Sequence, residues 1–155
     1  MIIKPGVGIG TIKFGIKEST LITQLGEPDF VDEDEYVEDS GRWYRELCYY
    51  YQNISFSFDK EDGYKLGGIS VVGSGHLLFN KALFGLPKKY VKNFVAKMSS
   101  EIPKEEDWTS DAENSLEYLE YDGLGMSFWF ESGNLSKIEY SYLFEPDEET
   151  VIWPE

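Results

Sequence analysis

The chain has 155 residues, with 14 Lys plus Arg against 29 Asp plus Glu and a formal net charge of −15. Hydrophobic residues make up 41% and aromatics 16%, enough apolar area to offset chain entropy, which excludes an intrinsically disordered chain and leaves room for one compact body. So negative a field repels phosphate backbones and anionic lipid while attracting cationic proteins, which disfavours nucleic acid and membrane as partners.

The first residues, Met1-Ile2-Ile3-Lys4-Pro5-Gly6, show no basic segment leading into an apolar stretch, and no window reaches the ~18 apolar residues of a membrane span. Cys48 is the only cysteine, which rules out an internal disulfide and fits a reducing compartment. These features predict a cytoplasmic protein. The glycines of Gly6-Val7-Gly8-Ile9-Gly10 lack the third glycine and the preceding buried strand of a dinucleotide fingerprint, because Thr11 stands where that glycine belongs. They read as glycines that allow a tight entry into the first unit.

Phe14-Gly15-Ile16 then opens a helix predicted from Lys17 to Gln24, with Gly26 as its stop and Pro28 just beyond. Next comes an acidic run, Asp32-Glu33-Asp34-Glu35, followed by Glu38 and Asp39. Tyr36 stands at the fifth position of any calcium loop begun at Asp32 and no Gly follows at the sixth, so this reads as a solvated loop or, alternatively, as a loop in contact with a basic partner, with no metal. Trp43 and Tyr44 fall in that loop. Period-two alternation then marks strands. Leu47, Tyr49 and Tyr51, then Ile54, Phe56 and Phe58, form a core face, against Cys48, Tyr50, Ser55 and Ser57 on the other. A turn at Asp62-Gly63 leads to a third strand carrying Leu66 and Ile69, and Gly73-Ser74-Gly75-His76 ends the first half. His76 is the only histidine and reads as a linker residue, since neither Ser74 nor Cys48 stands in a nucleophile motif.

The second half lays over the first. Phe84-Gly85-Leu86, Val91 and Val95 match Phe14-Gly15-Ile16, Leu21 and Leu25 at an offset of 70. Leu119-Glu120-Tyr121 and Phe128-Trp129-Phe130 match Leu47-Cys48-Tyr49 and Phe56-Ser57-Phe58 at 72, and Leu135 and Ile138 match Leu66 and Ile69 at 69. Pro87 suits a first helical turn, and the second helix is predicted from Lys88 to Ser99, ending before Pro103. Met126, Phe128 and Phe130 form its core phase, opposite Ser127, Trp129 and Glu131.

The fold expected is α+β: two tandem helix-plus-antiparallel-meander units, 1–72 and 73–145, with three strands each and a tail at 146–155. Joined edge to edge, they make one sheet with both helices on one face and a broad exposed face opposite. Tyr50, Tyr118, Trp129, Trp43 and Tyr44 are the candidate aromatic anchors on that face, with the acidic run as its charged rim. No catalytic constellation, cofactor site or metal site is expected.

The stretch Gly10-x-Ile12-x-Phe14-Gly15-Ile16, then Leu21 and Leu25-Gly26-x-Pro28, followed by a meander, resembles the helix-plus-sheet unit of the small outer-membrane-assembly lipoproteins of the SmpA type. Two such units in tandem resemble the β-lactamase-inhibitor-protein fold. The resemblance spans about Val7 to Phe144, although the second half lacks the Leu-Gly-x-Pro ending. It implies a concave sheet that grips another protein without catalysis. Lacking the lipoproteins' export signal and the inhibitors' disulfides, the chain looks most like a cytoplasmic immunity protein that occludes a cationic toxin domain, a basic nuclease for example. The alternative is an adaptor or assembly factor with a housekeeping partner.

Overall fold

Strand patterning and tertiary packing meet in a computed structural model that describes residues 1–110 and 114–155. Three short strands, β1 (Ile2–Lys4), β2 (Gly8–Ile9) and β3 (Ile12–Lys13), precede helix α1 (Glu18–Leu25). Four strands follow: β4 (Phe30–Glu35), β5 (Trp43–Tyr49), β6 (Ile54–Asp59) and β7 (Lys65–Val72). After β8 (Leu77–Leu78) come α2 (Lys88–Ala96) and four more strands, β9 (Lys104–Asp107), β10 (Leu116–Tyr121), β11 (Met126–Glu131) and β12 (Asn134–Ser141). A small hairpin, β13 (Leu143–Phe144) with β14 (Val151–Ile152), ends the chain. The class is α+β.

Eight strands form one antiparallel sheet in the order β4-β5-β6-β7-β12-β11-β10-β9. Its centre is the pairing of β7 with β12, where Ile69 faces Tyr140 and Val71 faces Ile138. Leu47, Phe56, Phe58, Leu119, Phe128 and Phe130 are completely buried in one cluster with Leu21 of α1 and Val91 and Val95 of α2, so both helices cover the same face. Burying each phenylalanine stabilises by about 1.5–3 kcal/mol. The short sheet β3-β2-β1-β8 covers that face as well. Ile3, Ile9 and Leu78 join the cluster, and the Tyr140 hydroxyl donates to the Gly8 carbonyl at 3.0 Å.

The two Phe-Gly segments build matching joints ahead of the helices. Gly15 has φ +90° and Gly85 φ +82°, a backbone region that a side chain disfavours. The Gly15 N–H donates to the Leu66 carbonyl at 2.8 Å and the Gly85 N–H to the Leu135 carbonyl at 2.9 Å. Leu66 and Leu135 donate back to Ile16 and Leu86.

Several expectations need correction. The acidic run is a strand: Asp32 to Glu35 belong to β4, an edge strand paired with β5. Edge strands exposed on both faces need no apolar alternation, and charge there blocks pairing with other chains. Each helix is therefore followed by four sheet strands instead of three, because β9, the other edge, was equally invisible. Trp43 and Tyr44 lie within β5, not in a loop. Tyr51 does not face the core, since β5 ends at Tyr49 and Tyr50 to Asn53 form the hairpin loop. Helix α2 ends at Ala96, three residues early, as its last turn tightens to Lys97 N–H to Phe94 O and Met98 N–H to Val95 O bonds.

Candidate functional site

The face of the sheet opposite the helices carries neither helix. Its central floor consists of small side chains in the out-of-core phase, Ser55 and Ser57 of β6, Gly68 and Ser70 of β7, Ser127 of β11 and Ser141 of β12. Around part of this floor larger residues such as Tyr44, Glu46 and Glu139 rise as walls and leave a hollow. A groove of about 700 Å³ occupies one end.

Tyrosines and carboxylates wall the groove. Tyr36, just past β4, stacks on Tyr44 with ring centroids 4.8 Å apart and donates its hydroxyl to Asp59 at the end of β6. Tyr142 donates to Asp62 at 3.0 Å and packs on Trp153 and Phe144. Glu46 accepts from the Ser55 hydroxyl at 2.6 Å. Burial pushes the hydroxyls of Tyr36 and Tyr142 well above the ordinary tyrosine range, with Asp59 and Asp62 adding to it. Burial raises the Asp59 carboxyl too, against the opposing Tyr36 bond. These tyrosines thus remain neutral hydrogen-bond donors near neutral pH.

The other half of the face is a tryptophan cluster. Trp129 packs on Tyr118 at 4.6 Å and on Trp108 at 6.1 Å, and Lys137 lies 5.4 Å from its ring centroid. Its indole N–H donates to Glu139 at 2.7 Å, and Tyr118 shares a 2.9 Å bond with Ser127. These bonds fix the rings in place, and Trp108 remains more than half exposed. Pre-set aromatic rings lose little entropy when a partner covers them.

The candidate residues do not all converge here. Tyr44, Tyr118 and Trp129 lie on the open face, and Asp32 joins them through a 3.4 Å contact with the Tyr44 hydroxyl. Asp34, opposite Tyr44 in the register, shares that side. Glu33 does not: it pairs with Arg45, which also holds Glu18 of α1 on the helix side. Trp43 shares the phase of Arg45 and so belongs to the helix side of β5. Tyr50 sits in the β5–β6 hairpin loop, off the sheet, its N–H bonded to Asp29. Glu35 accepts from the Gly41 N–H, and Glu38 and Asp39 lie in the β4–β5 connection at the rim. The sequence reading missed Trp108, Tyr36, Tyr142, Asp59, Glu46 and Glu139. Glu46, Asp59 and Glu139 were legible in principle, as they keep step with Cys48, Ser57 and Ser127 on the outward phase, whereas the others lie outside any alternating stretch.

The reactive residue types have other occupations. His76 is buried, its Nε2–H donating to the Gln52 carbonyl at 2.9 Å while Nδ1 lies 3.4 Å from the Met1 amino group. It lies in the connection between β7 and β8, where it is buried and acts as a brace. Burial raises the Cys48 thiol, with Glu46 and Asp32 adding to it, which disfavours the nucleophilic thiolate. Along β4 the carboxylates alternate between two faces, and among the described residues no three His, Cys, Asp or Glu side chains gather as a metal-ligand set. No helix among the described residues is long and apolar enough to cross a membrane. No protein-family model, curated protein or solved structure matches this chain.

Proposed function

We propose that this is a non-catalytic binding protein, a cytoplasmic immunity or inhibitor protein that occludes a cationic toxin domain with the open face of its sheet. The observation that carries the reading is that face itself: the side of the sheet opposite both helices, hollowed by a groove and lined by held aromatic rings and carboxylates, on a chain of net charge −15. Aromatic anchors supply the binding energy of such interfaces, and opposite charge speeds encounter.

The chain is read as two tandem units of the kind shared by the SmpA-type lipoproteins and the β-lactamase-inhibitor-protein fold. Details beyond element order support the duplication. Tyr49 meets Phe56 edge-on at 5.7 Å, as Tyr121 meets Phe128 at 5.6 Å. The sheet register shifts between Ser57 and Phe58 and again between Trp129 and Phe130. The joints at Gly15 and Gly85 correspond as well. Each pair is separated by the same 69 to 72 residues that align the two halves in sequence.

The test is capture of the partner from native lysate, followed by association kinetics with the purified partner. Trp129→Ala should weaken binding roughly thirtyfold, about 2 kcal/mol, with the fold intact. Association should slow markedly as salt rises to the physiological range, where the Debye length is about 8 Å. Binding that ignores both salt and Trp129 would overturn the reading. Capture of a housekeeping assembly through the same face would instead assign the chain as an adaptor, and a toxin reading frame directly upstream of its gene would support immunity.

A further inference from the structure

Glu35, Glu46, Asp59 and Glu139 line the groove against a single cation, Lys137. An acidic surface kept only for solubility has no need of tyrosine walls, and tyrosines seeking only burial gain nothing from desolvating Asp59. The combination is complementary to one kind of ligand. Ring faces attract a cation through their quadrupole, and a planar, weakly hydrated cation also stacks on them.

The carboxylates retain capacity to bind. Asp59 accepts from Tyr36 through Oδ1 and Glu46 from Ser55 through Oε1. Among the described residues neither Asp59 Oδ2 nor Glu46 Oε2 has a hydrogen-bond donor, although each carboxylate oxygen can accept about two. The rim shows the matching chemistry within the chain itself. The Arg42 guanidinium lies 6.0 Å from the Tyr36 ring centroid and pairs with Glu61 at 3.1 Å.

We propose that this groove is a receptor for an arginine side chain of the protein that docks on the open face, the guanidinium lying against the tyrosine wall and bonding to Asp59, with Glu46 farther along the floor adding to the negative field. The assignment rests on the reading of that face as a protein-binding surface, and it names the chemistry the partner must present there. Arginine is favoured over lysine because a flat fork of N–H donors can pair with a carboxylate while its plane stacks on a ring, which a compact ammonium cannot do.

The test needs no partner. Nα-acetyl-arginine amide, the lysine amide and the uncharged citrulline amide are titrated into the full chain at constant ionic strength while backbone amide NMR shifts are followed. The arginine amide should shift Ser57, Gly68, Ser127 and Ser141 saturably, with the citrulline amide at least roughly tenfold weaker and the lysine amide between them. Asp59→Asn with Glu46→Gln should abolish the saturable shifts. Because the wild-type titration stands alone, a folding defect in that variant leaves the result interpretable. Equal shifts from citrulline, or arginine shifts scattered over the acidic surface without saturation, would overturn the assignment. If that happens while Trp129→Ala still releases the partner, only the groove's role falls. If partner binding instead ignores the whole face, the function falls and the titration still reports on the groove.

Discussion

The two halves of the sheet contain a matched pair of tyrosines with one difference, and that difference sets opposite expectations for the same substitution. Tyr49 and Tyr121 are both buried, and each meets a phenylalanine edge-on at nearly the same distance. The Tyr49 hydroxyl donates to the Gly26 carbonyl at 2.9 Å, just past α1. The Tyr121 hydroxyl is buried with no hydrogen-bond partner among the described residues, where α2 ends without a Leu-Gly-x-Pro turn to offer a carbonyl, and burial pushes its pKa up to about 12. Tyr49→Phe removes a bond worth about 1 kcal/mol net and strips the Gly26 carbonyl of a donor, for a cost of about 1–2 kcal/mol. Tyr121→Phe removes a group whose desolvation is uncompensated, so it should be neutral or stabilising by up to about 1 kcal/mol. The variants should differ by about 2 kcal/mol, or roughly 4–8 °C in Tm for a domain of this size. Urea unfolding near neutral pH, with unchanged m-values, measures this directly. Equal destabilisation by both would show that Tyr121 is satisfied and that the reasoning fails.

Burial lowers the His76 pKa from 6.5, so below that pH the folded state binds fewer protons than the unfolded one. Stability therefore rises with pH through that window and is lost on acidification. Urea midpoints should fall between about pH 7.5 and 5.5, and His76→Gln should flatten the slope; a flat wild-type profile would count against the brace. Gly15→Ala and Gly85→Ala each force a side chain into positive φ at about 1–2 kcal/mol, but a Cβ on Gly15 would also come within 3.0 Å of the Trp153 ring while Gly85 faces open space. Gly15→Ala should be the worse of the two in thermal unfolding, and a Trp153→Ala background should erase the excess. Arg45→Met strands Glu18 and Glu33 without their shared cation and should cost about 1 kcal/mol at low salt and visibly less at high salt. A salt-independent loss would assign Arg45 a packing role.

How far the site was legible follows from where each residue sits. Trp129 and Tyr118 were found because β11 and β10 have one face buried and one open, which imposes a period of two that any sequence displays. Trp43 was misplaced because its strand begins four residues before the first fully buried side chain, Leu47, so no apolar alternation marked it. Tyr36 lies in the bend after β4 and Tyr142 in the one-residue step between β12 and β13, where no period operates, and only the closing of the chain brings them to Asp59 and Asp62.

Taken alone, the sequence determined the local units and their inner faces: the helices that bury Leu21, Val91 and Val95, the strands that bury Phe56 and Phe128, and the excess of negative charge. Those features are written in apolar spacing and composition, which each segment carries by itself. Tertiary structure decided what lies between segments. It made the acidic run an edge strand, joined β7 to β12 so that two half-sheets became one surface, and buried His76 against a distant hairpin. These outcomes depend on backbone pairing and burial between residues far apart in the chain, which leave no periodic trace in the sequence.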